Sequence, residues 1–180
     1  VLSADQVLYS DDFRSNERGF DLMTQVVGRS GRGTKRGRAI IQTYTPENPV
    51  IALASHQDYV HFYQQEILFR KAMLYPPFAD IVVIGFVGEQ ESKVAKASQL
   101  FLEMLSHLAS KEYSELPIRA LRPTPAQVAK VSNKYRYKLM IKCKNNLTFR
   151  TMLSRLLVAC GKEKAFAGVT VYADSNPDMI

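Results

Sequence analysis

Tryptophan is absent from these 180 residues, cysteine occurs only twice, and no apolar run approaches the ~18 residues that a membrane-spanning helix needs. Cys143 and Cys160 lie seventeen positions apart and have no neighbours at zinc-ligand spacing, so two buried thiols are expected in place of a metal knuckle. No signal-peptide pattern opens the chain, and a cytoplasmic location is expected. A Gly-rich phosphate loop and a Mg²⁺-holding acidic motif are also missing. The nearest imitation, Gly28 to Lys35, has the glycine spacing but reverses the order of lysine and threonine, and it ends a helix where a phosphate loop follows a strand. A self-sufficient ATPase is thereby excluded.

Acidic residues are missing from one long stretch. Between Leu116 and Lys162 there are eleven Lys or Arg and no Asp or Glu, whereas the whole chain carries 24 cations and 17 acids for a net charge of +7. The rest of the chain, with thirteen cations and seventeen acids, is therefore net −4. Such segregation is the electrostatic footprint of a polyanion partner. Within the stretch, Lys134, Arg136, Lys138, Lys142 and Lys144 alternate with Tyr135, Tyr137, Leu139, Ile141 and Cys143. Alternate strand residues face one side about 6.6 Å apart, so this pattern predicts a strand with a row of cations opposite a core-facing row. Phosphate binding and a merely solvated sheet face both fit it. Tyr135 and Tyr137 fall on the core phase.

A second basic cluster, Arg29, Arg32, Lys35, Arg36 and Arg38, surrounds the end of an amphipathic segment. Phe20, Met23, Val26 and Val27 recur at helical spacing, Ser15 or Asn16 is expected to cap the helix, Glu17 falls in its first turn, and Gly31 and Gly33 end it. Gln25, Gly28, Arg29 and Arg32 then share one face. Two guanidinium forks so placed suit one polyphosphate, and at a helix C-terminus, where the dipole repels anions, side-chain charge must do the binding. The same arginines also fit a plainer role, complementing the negative helix end.

The chain segments into two units, residues 1–78 and 79–180. The first is expected to hold a strand at Val1 to Ala4, the helix ending near Arg32, a strand from Arg38 to Tyr44, and a helix from about Asp58 to Leu74 that Pro76-Pro77 stops. Val60, Tyr63, Ile67 and Leu74 form that last helix's stripe, and Phe62, Phe69 and Met73 widen it, which predicts a helix clamped between two bodies. His56 and His61 near its start are read as surface or capping residues. The second unit reads as strand Asp80–Gly88, helix Glu91–Lys111, strand Ile118–Leu121, strand Tyr135–Cys143, helix Leu147–Cys160 and strand Val169–Ala173. This βαββαβ order is the split βαβ pattern of ferredoxin-like α+β folds, with one sheet face left open.

The segment Asp12-Phe-Arg, Glu17-Arg18 and Gln25-Val-Val-Gly-Arg-Ser-Gly-Arg32 resembles the sixth helicase motif and its flank in the primosomal replication-restart helicases (primosomal protein N′), which are superfamily 2 DNA helicases. Gly37 to Tyr44, Pro46 to Pro49, Phe62-Tyr63, Glu66, Tyr75 to Phe78, Arg122 to Ala126, Tyr135 to Tyr137 and Asp174 to Pro177 are similar to successive landmarks of that family. Asp11, Ser30 and Asn176 depart from its usual proline, alanine and aspartate.

The resemblance implies the remainder of a RecA-like motor lobe followed by a DNA-binding domain that looks like a small-subunit ribosomal protein, in the C-terminal piece of a longer 3′→5′ helicase acting at stalled or branched forks. It further implies ATP and Mg²⁺ in the full-length protein and zinc only upstream, with no cofactor bound by this piece, which is expected to be inactive alone. Arg29 and Arg32 would act on transferred phosphoryl charge, with Gln25 and Gly28 at the same nucleotide site. Implied partners are branched or single-stranded DNA, other primosome proteins and the single-stranded DNA-binding protein, for whose acidic tail Arg150 is the candidate contact. The rival reading is a non-enzymatic nucleic-acid module of ribosomal or RNA-remodelling type, in which Arg29 and Arg32 are further phosphate contacts.

Overall fold

The computed structural model of the chain describes residues 3–10, 12–29, 38–175 and 177. These residues fall into two compact units, one reaching to Met73 and the other starting at Leu74.

The first unit is helical. Its elements are α1 (Asp5–Leu8), α2 (Ser15–Arg29), α3 (Pro49–Ser55) and α4 (Tyr59–Met73). Their shared core is Ala4, Leu8, Phe20, Met23, Val50, Ile51, Ala54 and Phe62, with the Phe20 and Phe62 rings stacked at 4.2 Å. Gly19 lets α1 lie close against α2, because a Cβ there would run into the Leu8 side chain. Asn48 caps α3 by accepting from the Val50 amide, and Pro49 occupies its first turn, where no amide is needed.

Several expectations for this unit are corrected. Ser15 is the first helical residue and not a cap, and the Asn16 amide donates to Glu66; Asp12 is the residue that turns the chain in, accepting from the Arg14 amide and pairing with Arg18 at 2.8 Å. Ser3 and Ala4 are not strand, while Val1 and Leu2 lie outside the described residues. Residues 38–44 form no strand either. A strand needs a paired neighbour, and here the ties are the Ala4 amide to the Gln42 carbonyl and Asp5, whose carboxylate accepts from Thr43, Thr45 and the Tyr44 amide. Of the stripe expected on α4, only Phe62, one of its widening residues, is buried. Phe62 and Glu66 point inward, and Val60, Tyr63, Phe69 and Met73 are exposed. His56 and His61 are both exposed, as read: His56 caps the end of α3 with Nδ1 against the Ala52 carbonyl, and His61 lies in the first turn of α4 with Nδ1 against the Asp58 carboxylate, which also accepts from its amide.

The second unit follows the expected order. β1 (Asp80–Gly88), α5 (Glu91–Glu112), β2 (Arg119–Ala120), β4 (Lys134–Cys143), α6 (Leu147–Lys162) and β5 (Val169–Ser175) match the βαββαβ reading, and β3 (Thr124–Val131) is an addition. All pairings are antiparallel, in the order β2-β4-β1-β5, and β3 pairs with the N-terminal half of β4 along the edge that β2 also uses. This is the ferredoxin-like arrangement of an α+β domain. Val82, Ile84 and Phe86 of β1 and Leu139, Ile141 and Cys143 of β4 face a core completed by Val94, Phe101 and Leu105 of α5 and Phe149, Met152 and Leu156 of α6. Both helices thus cover one face of the sheet.

Candidate nucleic-acid interface

The sequence-predicted nucleotide residues lie at the C-terminal end of α2. Gln25, Gly28 and Arg29 are all exposed there, at helical spacing that puts them on one face, while Phe20 and Met23 face the core. Gly28 keeps that face low: a Cβ on it would come within 3.3 Å of the Gln57 amide nitrogen. Arg32 lies outside the described residues, as do Lys35 and Arg36. The other half of α2 is fastened by a polar cluster that spacing did not disclose. Arg70 donates to Glu66 at 2.8 Å and to Glu17 at 2.9 Å, with its guanidinium 5.3 Å from the Phe13 ring centre. The helix is therefore held at its start and presents polar groups at its end.

The alternating strand is β4, and its phase is as the sequence required. Tyr135 and Tyr137 pack against the helix-covered core, Tyr137 donating to Glu91 at 3.5 Å and Lys130 lying 4.8 Å over the Tyr135 ring. On the helix-free face β4 presents Lys134, Arg136, Lys138, Met140 and Lys142, and Lys144 follows, exposed, just past the strand end. Lys142 does not belong to a solvent-facing row and is corrected here. It is only 6% exposed, and its ammonium sits 3.7 Å from the centre of the Tyr75 ring. Burial, helped by the neighbouring Arg119 charge, pulls its pKa below the ordinary lysine value. The row that can meet a partner is therefore Lys134, Arg136 and Lys138, with Lys144 beyond its other end.

The register adds residues that the β4 pattern alone could not supply. Across β1, Lys138 is aligned through Gly85 with Tyr172 of β5, Arg136 through Val87 with Thr170, and Met140 through Val83 with Asp174. Tyr172 is exposed, although Gly85 beside it is buried and Val83 and Val87 on the same face of β1 are half-buried. The signal was present in Val169 to Tyr172, where polar and apolar residues alternate, but only strand order shows that this edge lies one strand away from β4.

Arg150 is exposed on α6, whose start is capped by Asn146 accepting from the Phe149 amide. Its neighbour Arg155 is engaged within the fold, donating to Glu112 at 2.7 Å and to the Tyr113 hydroxyl at 2.9 Å. Cys143 and Cys160 are both free and buried, as expected, and burial pushes their thiols up to about 12 and about 11. Among the described residues no group of three or more His, Cys, Asp or Glu is placed to hold a metal ion, and no helix is long and apolar enough to cross a membrane.

Residues 71–177, which contain the whole five-stranded sheet, match the family described as the primosomal protein N C-terminal domain. The full chain is 36% identical over 180 residues to the replication restart protein PriA of Bacillus subtilis and 35% identical over 180 residues to that of Synechocystis. Over 85% of the chain it is 38% identical to the replication restart protein PriA of Chlamydia muridarum. The chain spans only 22%, 20% and 20% of the lengths of these relatives, so it corresponds to about a fifth of each. With a matched stretch that takes in every strand and both sheet-covering helices, the chain belongs to the primosomal protein N C-terminal domain family.

Proposed function

We propose that this chain serves as the C-terminal part of an ATP-dependent 3′→5′ DNA helicase that engages stalled or branched replication forks and promotes primosome assembly and replication restart, with residues 79–180 as its DNA-binding domain. The observation that carries the reading is the acid-free basic stretch folded onto the helix-free face of an antiparallel sheet, in a chain aligned end to end with replication restart proteins. Lys134, Arg136 and Lys138 contact the DNA backbone, with Lys144 as an outlying contact. The first unit belongs to a motor lobe. There Gln25, Gly28 and Arg29, exposed on one face of α2, fit a nucleotide's phosphates, and Arg32, outside the described residues, is assigned the second guanidinium from the motif alone. ATP with Mg²⁺ supplies the transferable phosphoryl group when bound. The chain's own contribution is fixed positive charge beside it.

The backbone reading is tested by binding to a forked duplex at several salt concentrations. Each phosphate neutralised contributes roughly 0.7 to 0.9 to the slope of log K against log salt, so Arg136→Ala/Lys138→Ala flattens the slope by about 1.5. Loss is nearly independent of base sequence, because backbone contacts position without reading. An unchanged slope with the fold intact by circular dichroism would reduce the row to a solvated face.

A partner contact belongs to the same proposal. Arg150, exposed at the start of α6 and unlike Arg155 not committed to an acid among the contacts described, receives the acidic tail of a single-stranded DNA-binding protein. Anisotropy with a labelled acidic C-terminal peptide should show weaker binding for Arg150→Glu; equal affinity removes the contact.

A further inference from the structure

The helix-free face holds one aromatic ring in an unusual posture. Side chains on a strand ordinarily stand off the sheet. Tyr172 instead leans across the neighbouring strand: a Cβ built on Gly85 would collide with its Cε1, Cζ and Oη atoms. The ring thus covers the one position on this face of β1 that has no side chain. One side is against the sheet, and the residue remains 42% exposed. Val83 and Val87, which flank Gly85 on the same face, are half-buried and supply an apolar floor.

Charge surrounds this ring on one side. Lys138 lies directly beyond Gly85 in the same cross-strand row, and Arg136 lies in the next row beyond Val87 and Thr170. With strands about 4.8 Å apart and alternate residues about 6.6 Å apart, the two cations stand within reach of the phosphates that flank a base lying on the ring. Of the carboxylates near this face, Asp174 falls in the opposite direction, in the row of Val83 and Met140, and Glu89 follows the end of β1, lining a hollow with Val87, Lys134 and Thr170.

We propose that Tyr172, laid over Gly85 beside Lys138 and Arg136, is a stacking platform for an unpaired base of single-stranded DNA. The proposal rests on the DNA-binding reading of this face and names what that face reads: a base freed from its duplex, because a paired base already stacks on its neighbours and cannot lie on a side chain. Tyr135 and Tyr137, the aromatic residues within the basic strand itself, cannot serve, since both face the helix-covered core.

The test uses the whole chain and three labelled probes of equal length: a thymidine oligonucleotide, its abasic counterpart, and a uridine oligonucleotide. Stacking predicts that Tyr172→Ala weakens thymidine binding by about 5-fold to 100-fold, that Tyr172→Phe binds as the wild type does, and that abasic binding is the same for all three proteins. The salt slope stays unchanged in Tyr172→Ala, because no cation is removed. Equal thymidine affinity of Tyr172→Ala and wild type overturns the proposal, as does an equal loss on the abasic probe, which would make the ring structural. Wild-type binding of uridine as tight as thymidine, with the same loss, overturns the commitment to DNA. If Tyr172→Ala does not fold, Tyr172→Leu keeps an apolar cover over Gly85 without an aromatic face and is read in the same way. Failure of the underlying reading is separate: it appears as an unchanged salt slope in Arg136→Ala/Lys138→Ala, whatever Tyr172 does.

Discussion

Arg29 stands at the last position of α2 on the face it shares with Gln25 and Gly28, where the negative end of the helix weakens rather than assists the capture of an anion. An arginine there is a poor choice for mere anion binding unless its own charge acts where negative charge develops. In a longer protein that supplies the phosphate loop, Arg29→Ala is therefore expected to cut DNA-stimulated ATP hydrolysis by about 10³-fold or more, the scale of an arginine finger, while DNA affinity without nucleotide changes little. The present chain assayed alone should show no turnover. Normal hydrolysis by the variant would make Arg29 a helix-end charge and nothing more. At this scale the sequence was legible where spacing assigns a face, as it does for Gln25 and Arg29, both exposed on one side of α2. It failed at Lys142, because alternation assigns a face but cannot show that Tyr75, sixty-seven residues earlier, folds over part of it.

Elements were legible in proportion to their length and to the clarity of their apolar pattern. α5 and α6 carry one apolar stripe, β4 alternates and β1 is a nearly continuous apolar run, so period 3.6, period two and run length located them within a residue or two of their ends. The short helices α1 and α3 depend on packing and on caps such as Asn48, which a periodic reading does not detect. β3 was missed because its side chains are mostly exposed and its pairing slips between Pro125 and Lys130. The turn that returns it to β4 carries Ser132 and Asn133 at φ 48° and 60°, the paired left-handed geometry of a two-residue hairpin. α4 offers apolar residues all round, so its inward side was settled by Glu66, whose carboxylate is needed by Arg70 and Asn16.

One contact between elements also carries a pH signature. Glu112 at the end of α5 accepts from Arg155 of α6, and this hydrogen bond, together with the guanidinium's charge, holds its carboxyl below the ordinary glutamate value against a smaller opposing effect of desolvation. A depressed folded value means that the stabilisation is present above the unfolded glutamate pKa, about 4.3, and is lost as pH falls through the folded value. Both partners are well exposed, so the effect is small and screened by salt. Glu112→Gln should lower the melting temperature on the order of a degree or two at neutral pH, with the difference closing in acid. A difference that persists at low pH would mean that the pair acts through packing and not charge.

Across the whole molecule, charge and fold divide along the same line. The acid-free stretch from Leu116 to Lys162 lies wholly in the second unit, and it runs through β2, β3, β4 and α6. Its cations are thereby distributed over a sheet edge, the open sheet face and one helix. A compositional reading could locate the excess charge but not this distribution, since the fold alone decides which cations share a surface. The exposed apolar side of α4, with Val60, Tyr63 and Leu68, belongs to the other unit and stands apart from that basic surface in sequence.

Gly85 and Tyr172 occupy a single volume between them: the ring fills the space that a side chain on β1 would take. Change at either position is consequently conditional on the other. An alanine at 85 is tolerable only beside a residue at 172 that is smaller or turned away, and a lineage that enlarges the first forfeits the recumbent ring at the second. The two positions, eighty-seven residues apart in the chain and adjacent in the sheet, are thus expected to drift as one character.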